Sequence, residues 1–445
     1  MTLTARFLTR PSPAEMPRSA DVVIVGGGPA GTATLWALHR LDPTLRPVLI
    51  EAGGQLGSGA NNASLENFRT CWPTPCLAAQ MRRSIEVFLN ADEYLGEGAA
   101  AAIGVKRQGY LYCAFTESGA AAYRADVDGL HANGLTHVQF LDAAQVQAEF
   151  GWLGPRLIAA KYDPMAGWLD SHALINRFAA AAPNARFILE CESVRVQVAG
   201  DKVIGVWTPY GEIATPRVLI AAGANSRAVG RTAGIDIPIV VRPRQSFTTP
   251  YRHADYPADG PCVIAAAPFP HLRPEAREGA VFGYEYGWHN KAVRPPDHPP
   301  ADHLTDPVWP VERAKDPRFP SITLALLAHQ FGHAEGYGFA DPRYLRGIHH
   351  RVGYYVSRDE QAAHTPDGRP YDSQRAIIDR WPEIEGLILS VAHVGHGIMS
   401  SPAAGEIAAA HLLGLPLPNP LYADFGLRAT YVPGDTGGLS AERPA

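Results

Sequence analysis

A strand of β-branched residues that runs straight into a glycine cluster leaves a chain few options. Residues 21–25 (Asp-Val-Val-Ile-Val) form such a strand, followed by Gly26-Gly27-Gly28-Pro29-Ala30-Gly31 and an apolar helical stretch over 33–41. Pro43 stops the helix, and a second strand over 47–50 ends on Glu51, twenty residues past Gly31. The product is a βαβ unit of about thirty residues, the length of a right-handed crossover. Gly26 permits the sharp turn, Gly28 lets a diphosphate approach the backbone, and Gly31 lets the helix lie close on the sheet. The helix start adds unpaired N–H groups and the positive end of its dipole, which attract an anion. Glu51 is placed to accept from ribose hydroxyls and would repel the 2′-phosphate of NADP. These features predict an adenine dinucleotide site; the competing reading is a purely structural glycine turn.

The rest of the chain helps to choose the dinucleotide. Helices are expected over 77–89, 120–133 and 171–181, and strands over 109–112, 185–189 and 193–198, with a turn and strand over 203–213. A buried strand over 218–223 follows. Short strands and prolines dominate 238–355, with a proline-rich excursion at 294–320. A strand over 386–391, the turn 393–397 and a helix over 401–413 repeat the opening pattern, and the tail after 433 is polar. NAD dehydrogenases usually keep their fingerprint inside one continuous parallel sheet. Here the chain leaves after the second strand and returns near Val218 and Leu387, which suits an extended FAD between lobes. With 445 residues, 46% of them hydrophobic, the chain has enough core for two lobes. Forty-four acidic against thirty-nine basic residues, without long single-sign runs, argue against nucleic acid as a partner. No apolar run reaches a membrane-spanning length and residues 1–20 lack a secretory h-region, so the expectation is a soluble cytoplasmic protein. Five cysteines make no disulfide framework, and Cys71 and Cys76 lack companions for a four-ligand metal site.

Several motifs, in order, resemble the FAD-dependent amine oxidoreductases that include D-amino-acid oxidase, glycine oxidase, sarcosine oxidase and sarcosine dehydrogenase. Besides the unit 21–51, these are Ser58-Gly59-Ala60-Asn61-Asn62-Ala63-Ser64, Asn67-Phe68-Arg69, Met81-Arg82-Arg83-Ser84 and Gly167-Trp168-Leu169-Asp170-Ser171. Ala221-Ala222-Gly223-Ala224-Asn225-Ser226, Thr365-Pro366-Asp367-Gly368-Arg369-Pro370 and the stretch from Gly395 to Glu406 complete the series. The resemblance implies a mixed α/β chain in a two-lobe, p-hydroxybenzoate-hydroxylase-like architecture. A discontinuous Rossmann-like FAD-binding domain (20–90, 160–240, 365–430) would accompany a mainly antiparallel β-sheet substrate domain (91–159, 241–364) and a tail (431–445). It assigns FAD contacts to Gly26, Gly28, Pro29, Ala30, Gly31, Glu51 and Ala52, and to Ser58, Asn62, Ala63 and Ser64. Val194, Ala222 and Gly223 follow, then Gly395, His396, Gly397, Ile398 and Met399. The closing turn would open a helix whose N–H groups face the flavin where charge gathers on reduction.

The implied activity is oxidation of the C–N bond of an amino acid or of a secondary or N-methylated amine to an imine, by hydride transfer to flavin. O2 is the expected acceptor; a dehydrogenase using a quinone or electron-transfer flavoprotein, and a non-catalytic flavin-binding assembly factor, are the alternatives. Such chemistry needs position and a dry face rather than a general base. Arg69, Arg244 and Arg351 are candidates for gripping a substrate carboxylate, and His396 for electrostatic help. Phe282, Tyr284 and Tyr286 alternate along one strand and could form an aromatic substrate wall, with Tyr354 and Tyr355 approaching it; plain sheet core is the other reading. His329 and His333 lack the intervening glutamate of a zinc hydrolase, so no metal is expected. Three departures from sarcosine oxidases stand out. Met399 replaces the lysine after the Gly-His-Gly turn, no lysine precedes Lys291 on the strand expected over the flavin, and Gly353 replaces the cysteine that attaches it. Noncovalent FAD follows.

Overall fold

The computed structural model describes residues 6–284, 304–359 and 375–428. Tyr286, the 365–370 motif, part of the proline-rich excursion and the tail lie outside them.

The opening run becomes a strand, Val23–Val25, followed by the opening helix Pro29–Leu41 and the strand Val48–Ile50. In one sheet the strands stand in the order Phe7–Thr9, Arg186–Leu189, Val48–Ile50, Val23–Val25, Val218–Ile220 and Leu387–Val391, all parallel, with Ile377–Arg380 antiparallel at the edge. The central strands are buried along their whole length, as expected when both faces are covered. The opening helix, Pro75–Leu89, Ser171–Ala180 and the closing helix Gly397–Leu413 cover one face. A three-stranded meander, Arg195–Ala199, Lys202–Thr208 and Gly211–Ala214, covers the other.

The closing helix starts at Gly397, four residues earlier than its sequence suggests, and runs through Pro402. Proline normally orphans the carbonyl four residues back. Here the Ser401 hydroxyl donates to that carbonyl, Ile398 O, at 2.8 Å, so the helix continues. A Cβ at Gly405 would meet the backbone of Ala33, which shows how closely the opening and closing helices pack.

A second sheet has eight strands in the order His349–Arg358, Ile239–Thr249, Gly279–Gly283, His271–Glu275, Cys262–Ile264, Tyr110–Ala114, Ala159–Asp163 and Gln139–Leu141. All neighbours are antiparallel except Cys262–Ile264 beside Tyr110–Ala114. Two of its strands reach 10 and 11 residues where only short strands were expected. The helix Phe319–Phe331 was also not anticipated. Its Pro320 occupies the first turn, where proline begins a helix instead of breaking one.

Residues paired across antiparallel strands share a face. Phe247 pairs Phe282, which pairs Leu272, and this face packs on the helix Phe319–Phe331. The opposite face carries Arg244 opposite Gly353, Ser246 opposite Arg351, Arg242 opposite Tyr355, and Tyr112 opposite Lys161. That face meets the loop at Ala60–Ala63: Ser246 Oγ donates to Ala63 O, and a Cβ at Gly353 would touch Ala60 and Ala63.

Candidate active site

The three glycines of the opening turn differ in their surroundings. A Cβ at Gly26, whose φ is +115°, would strike the Ala221 carbonyl, and one at Gly31 would strike the Gly26 carbonyl. A Cβ at Gly28 would meet nothing within 4 Å. Gly26 and Gly31 therefore serve packing, while Gly28 faces open space at the start of the helix. Gly28 is the N-cap and provides no side-chain hydrogen bond, so the first N–H groups after Pro29, those of Ala30 and Gly31, point into that space uncapped. The closing helix begins in the same way: its N-cap His396 does not cap with its side chain, which leaves Gly397, Ile398 and Met399. Parallel strands Val23–Val25 and Leu387–Val391 flank Val218–Ile220, so both helix starts lie at one edge, at the carboxyl ends of the strands. Both helix starts favour an anionic group beside them.

The remaining residues expected at the cofactor lie around this edge. Glu51 Oε2 accepts from Gly27 N–H at 2.7 Å, and Oε1 from Gly53 N–H and Ser58 Oγ, each at 2.8 Å. Its carboxylate thus ties the glycine turn to the 58–64 loop and keeps acceptor capacity in reserve. Ala52 is exposed beside it. Asn62 is spent locally: Oδ1 takes a bond from His172 and Nδ2 donates to Ser58 O. Ser64 Oγ accepts from Glu66 N–H. The buried amide of Asn61, by contrast, has neither atom paired, and Ser226 Oγ beside the Ala222–Gly223 bend is likewise unpaired. Buried polar atoms without partners are rare and suit a ligand that supplies them. Gly223, at φ +52°, also faces open space, and Val194 is partly buried against the meander core.

The closing turn is strained. Ala392 and Val394, on either side of His393, have φ of 60° and 52°, values that non-glycine residues rarely adopt. Val394 N–H is held by Val356 O at 2.8 Å, and a Cβ at Gly395 would strike the Tyr355 ring. Burial pushes His393 down to about 4. It pushes His396 well below its usual range too, with Arg69 and His393 adding repulsion. Both rings are neutral at physiological pH. The His396 ring meets Trp72 edge-on at 4.5 Å.

Arg69 is the centre of the arrangement. It is 8% exposed, and its guanidinium lies 4.1 Å from the Trp72 ring centre. Tyr112, Tyr110, Cys71 and Tyr355 are its electrostatic neighbours. Burial raises both phenols, Tyr110 and Tyr112, well above their ordinary value and lifts the Cys71 thiol to about 11, so all three are neutral. Arg244, on the facing sheet, stands over the Tyr355 ring at 5.7 Å. Arg351 is engaged elsewhere, donating to Asn62 O at 2.8 Å and to His349, and so braces the 58–64 loop. It does not join Arg69.

The aromatic wall needs correction. Phe282 and Tyr284 are 0% and 3% exposed and lie on the face turned towards the helix Phe319–Phe331; Tyr284 stacks on Phe319 at 4.6 Å. Tyr354 points the same way and exchanges hydrogen bonds with Val308. Adjacent residues alternate faces, so only Tyr355 of that pair reaches the closing turn. Trp72, Tyr110 and Tyr112 were missed. The alternation Tyr110-x-Tyr112 was the available signal; Trp72, three residues after Arg69 in an irregular segment, gave none. Among the described residues no group of three His, Cys, Asp or Glu could hold a metal, and both His333 nitrogens are engaged with backbone groups. All five cysteines lie among the described residues, are buried and form no disulfide.

The model for DAO, FAD dependent oxidoreductase, matches residues 21–411. The chain belongs to the FAD-dependent oxidoreductase family. Relatives of this flavoprotein include human mitochondrial sarcosine dehydrogenase, 31% identical over 241 residues, which are 51% of this chain and 25% of that one. Sarcosine oxidase subunit beta of Rhizobium meliloti (strain 1021) is 23% identical over 92% of this chain and 87% of its own. The flavoprotein thus spans about a quarter of the human relative's length. Glycine oxidase from Geobacillus kaustophilus shares its fold with a TM-score of 0.71 at 20% identity, covering 93% of this chain and 100% of the other. L-proline dehydrogenase from P. horikoshii gives 0.71 at 20% identity, over 93% and 98%. Among the described residues no helix is long and apolar enough to cross a membrane.

Proposed function

We propose that this chain oxidises the C–N bond of an amino acid, primary or N-substituted, to the imine, with Arg69 holding the substrate carboxylate. The observation that carries this reading is the buried Arg69 guanidinium, set among an indole, neutral phenols and neutral imidazoles beside the uncapped start of the closing helix. Sarcosine, glycine and proline, named in the relatives' and neighbours' descriptions, each carry an amine and a carboxylate on one small skeleton, which supports it.

Bound FAD would supply the hydride acceptor. The protein's own groups do the rest. Arg69 pairs with a carboxylate through two parallel N–H bonds and so fixes which carbon faces the helix starts. Its charge also favours the neutral, reactive form of a nearby amine. Trp72, Tyr112 and Tyr355 exclude water from that cation and raise the value of each charge contact. The open N–H groups of Gly397, Ile398 and Met399 favour negative charge beside them. Gly28 and the N–H groups of Ala30 and Gly31, with Glu51, would hold the diphosphate and ribose, and Asn61, Ser226 and Gly223 the remaining polar edges.

Product analysis tests this. L-α-Glycerophosphate oxidase of Mycoplasma pneumoniae shares the fold at TM-score 0.65, so the architecture also accommodates a protein named for a hydroxyl substrate. With L-proline and sarcosine the proposal predicts carbonyl or cyclic imine products in step with flavin reduction. Turnover only of hydroxy acids, with no amine consumed, would contradict it.

A further inference from the structure

Arg69 sits on an irregular segment, 69–73, that belongs to neither sheet nor helix. Its backbone donors must therefore find partners elsewhere. They find Asp163, the last residue of the strand Ala159–Asp163, which is 0% exposed. Oδ2 accepts from Thr70 N–H at 2.7 Å and Cys71 N–H at 3.1 Å, and Oδ1 from Met165 N–H at 3.1 Å. The Thr70 hydroxyl lies 2.9 and 2.8 Å from the two carboxylate oxygens and 2.5 Å from His137 Nε2. That hydroxyl has one proton. Given to Asp163, it obliges His137 to donate Nε2–H to Thr70 Oγ1, so a donor chain runs from His137 through Thr70 to the buried carboxylate. The segment then closes on itself: Trp72 Nε1 donates to Arg69 O at 3.0 Å, and the Arg69 guanidinium covers the Trp72 ring. Four donors on a fully buried carboxylate are what its desolvation requires, and two of them are the peptide N–H groups immediately after Arg69.

We propose that Asp163, with Thr70 and His137, is the positioning group that holds Arg69 where it takes the substrate carboxylate. The inference rests on the carboxylate reading of Arg69 given above. Asp163 touches no reacting atom. Its effect appears as discrimination between substrates with and without a carboxylate, not as a change in the chemical step.

The experiment uses the FAD-loaded full chain under anaerobic conditions, with L-proline and sarcosine as probes and pyrrolidine and dimethylamine as their counterparts lacking the carboxylate. Flavin absorbance gives the Kd and the limiting rate of reduction. Thr70→Val keeps every backbone donor to Asp163 and removes only the hydroxyl link; Asp163→Asn weakens the whole acceptor; Thr70→Ser is the rescue. Both weakening variants are expected to raise Kd for the amino acids roughly tenfold, the scale of one charged hydrogen bond, with the limiting rate and the counterpart amines within about twofold of wild type. Thr70→Ser is expected to match wild type. Equal losses with both substrate classes, or unchanged discrimination in Thr70→Val, overturn the proposal. Arg69→Met, run alongside, separates the two levels. If it abolishes the carboxylate preference while Thr70→Val retains it, the Arg69 reading stands and the positioning role falls. If Arg69→Met itself keeps the preference, both fall.

Discussion

Gly28 and Gly31 occupy the same motif and differ in what a methyl group would meet. Nothing lies within 4 Å of a Cβ at Gly28, whereas one at Gly31 collides with the Gly26 carbonyl. Gly28→Ala is therefore expected to leave the melting temperature of the apoprotein within a degree or two and to weaken FAD about tenfold or more, as measured by flavin fluorescence titration. Gly31→Ala should lower the apoprotein's melting temperature by overpacking, on the order of 1–3 kcal/mol. The reverse pattern would show that the open space at Gly28 is not the diphosphate site. At the same scale, His393 and His350 are both held down to about 4 by burial, against about 6.5 when unfolded. Between these values the unfolded chain binds more protons, so stability rises with pH through the window from about 4 to 6.5 and is level above it. His393 alone accounts for on the order of 2–3 kcal/mol lost on acidification. Thermal unfolding across pH 4.5–8 checks this, and His393→Asn should flatten the acid limb.

Among elements, the opening and closing helices were legible because each follows a buried β-branched strand and a glycine turn, a local pattern. Their boundaries were less so. The closing helix begins four residues before the expected 401 and takes in Pro402, with the Ser401 hydroxyl on Ile398 O satisfying the carbonyl that proline leaves open. The helix Phe319–Phe331 was hidden because its apolar residues carry little amphipathic signal beside a proline-rich stretch. Which strand face meets the closing turn was also unreadable: register decides it, and register depends on partners far along the chain. Hence Tyr284 was placed among the candidates, while Tyr112 and Trp72 were not. One further contact of elements was invisible in sequence. Arg83, in the helix Pro75–Leu89, binds Glu406 of the closing helix through Nε and Nη2, the shortest contact being 2.6 Å, and also donates to Tyr94. Arg83 Nη1 also lies 3.1 Å from Glu86, so loss of the Glu406 charge removes its strongest partner without leaving the guanidinium unpaired. Glu406→Gln is expected to cost about 2–3 kcal/mol in chemical denaturation, and the double variant Arg83→Met/Glu406→Gln less than the sum of the singles. Additive losses would show that the two side chains act independently.

At the scale of the whole molecule, one sheet supplies helix starts and the other supplies a facing wall, and Arg69 lies between them on the segment that Asp163 holds. The opening βαβ unit was read from the residues and the Rossmann-like sheet was expected from the family resemblance; the depth of Arg69 emerged only from the packing of distant strands around it. Because a ligand that binds only the folded chain stabilises it, saturating FAD should raise the melting temperature of the apoprotein, and excess ATP or NAD should not reproduce the full shift. On the proposed function, this flavoprotein takes electrons from an amine that carries a carboxylate. Anaerobic bleaching of the bound flavin tests it most directly, with primary, secondary and N-methylated amino acids set against the same amines without the carboxylate. Rapid bleaching by at least one amino acid, with much weaker bleaching by its counterpart, is the expected outcome. A flavin that stays oxidised with every amino acid, or that bleaches equally well with the counterparts, would contradict it.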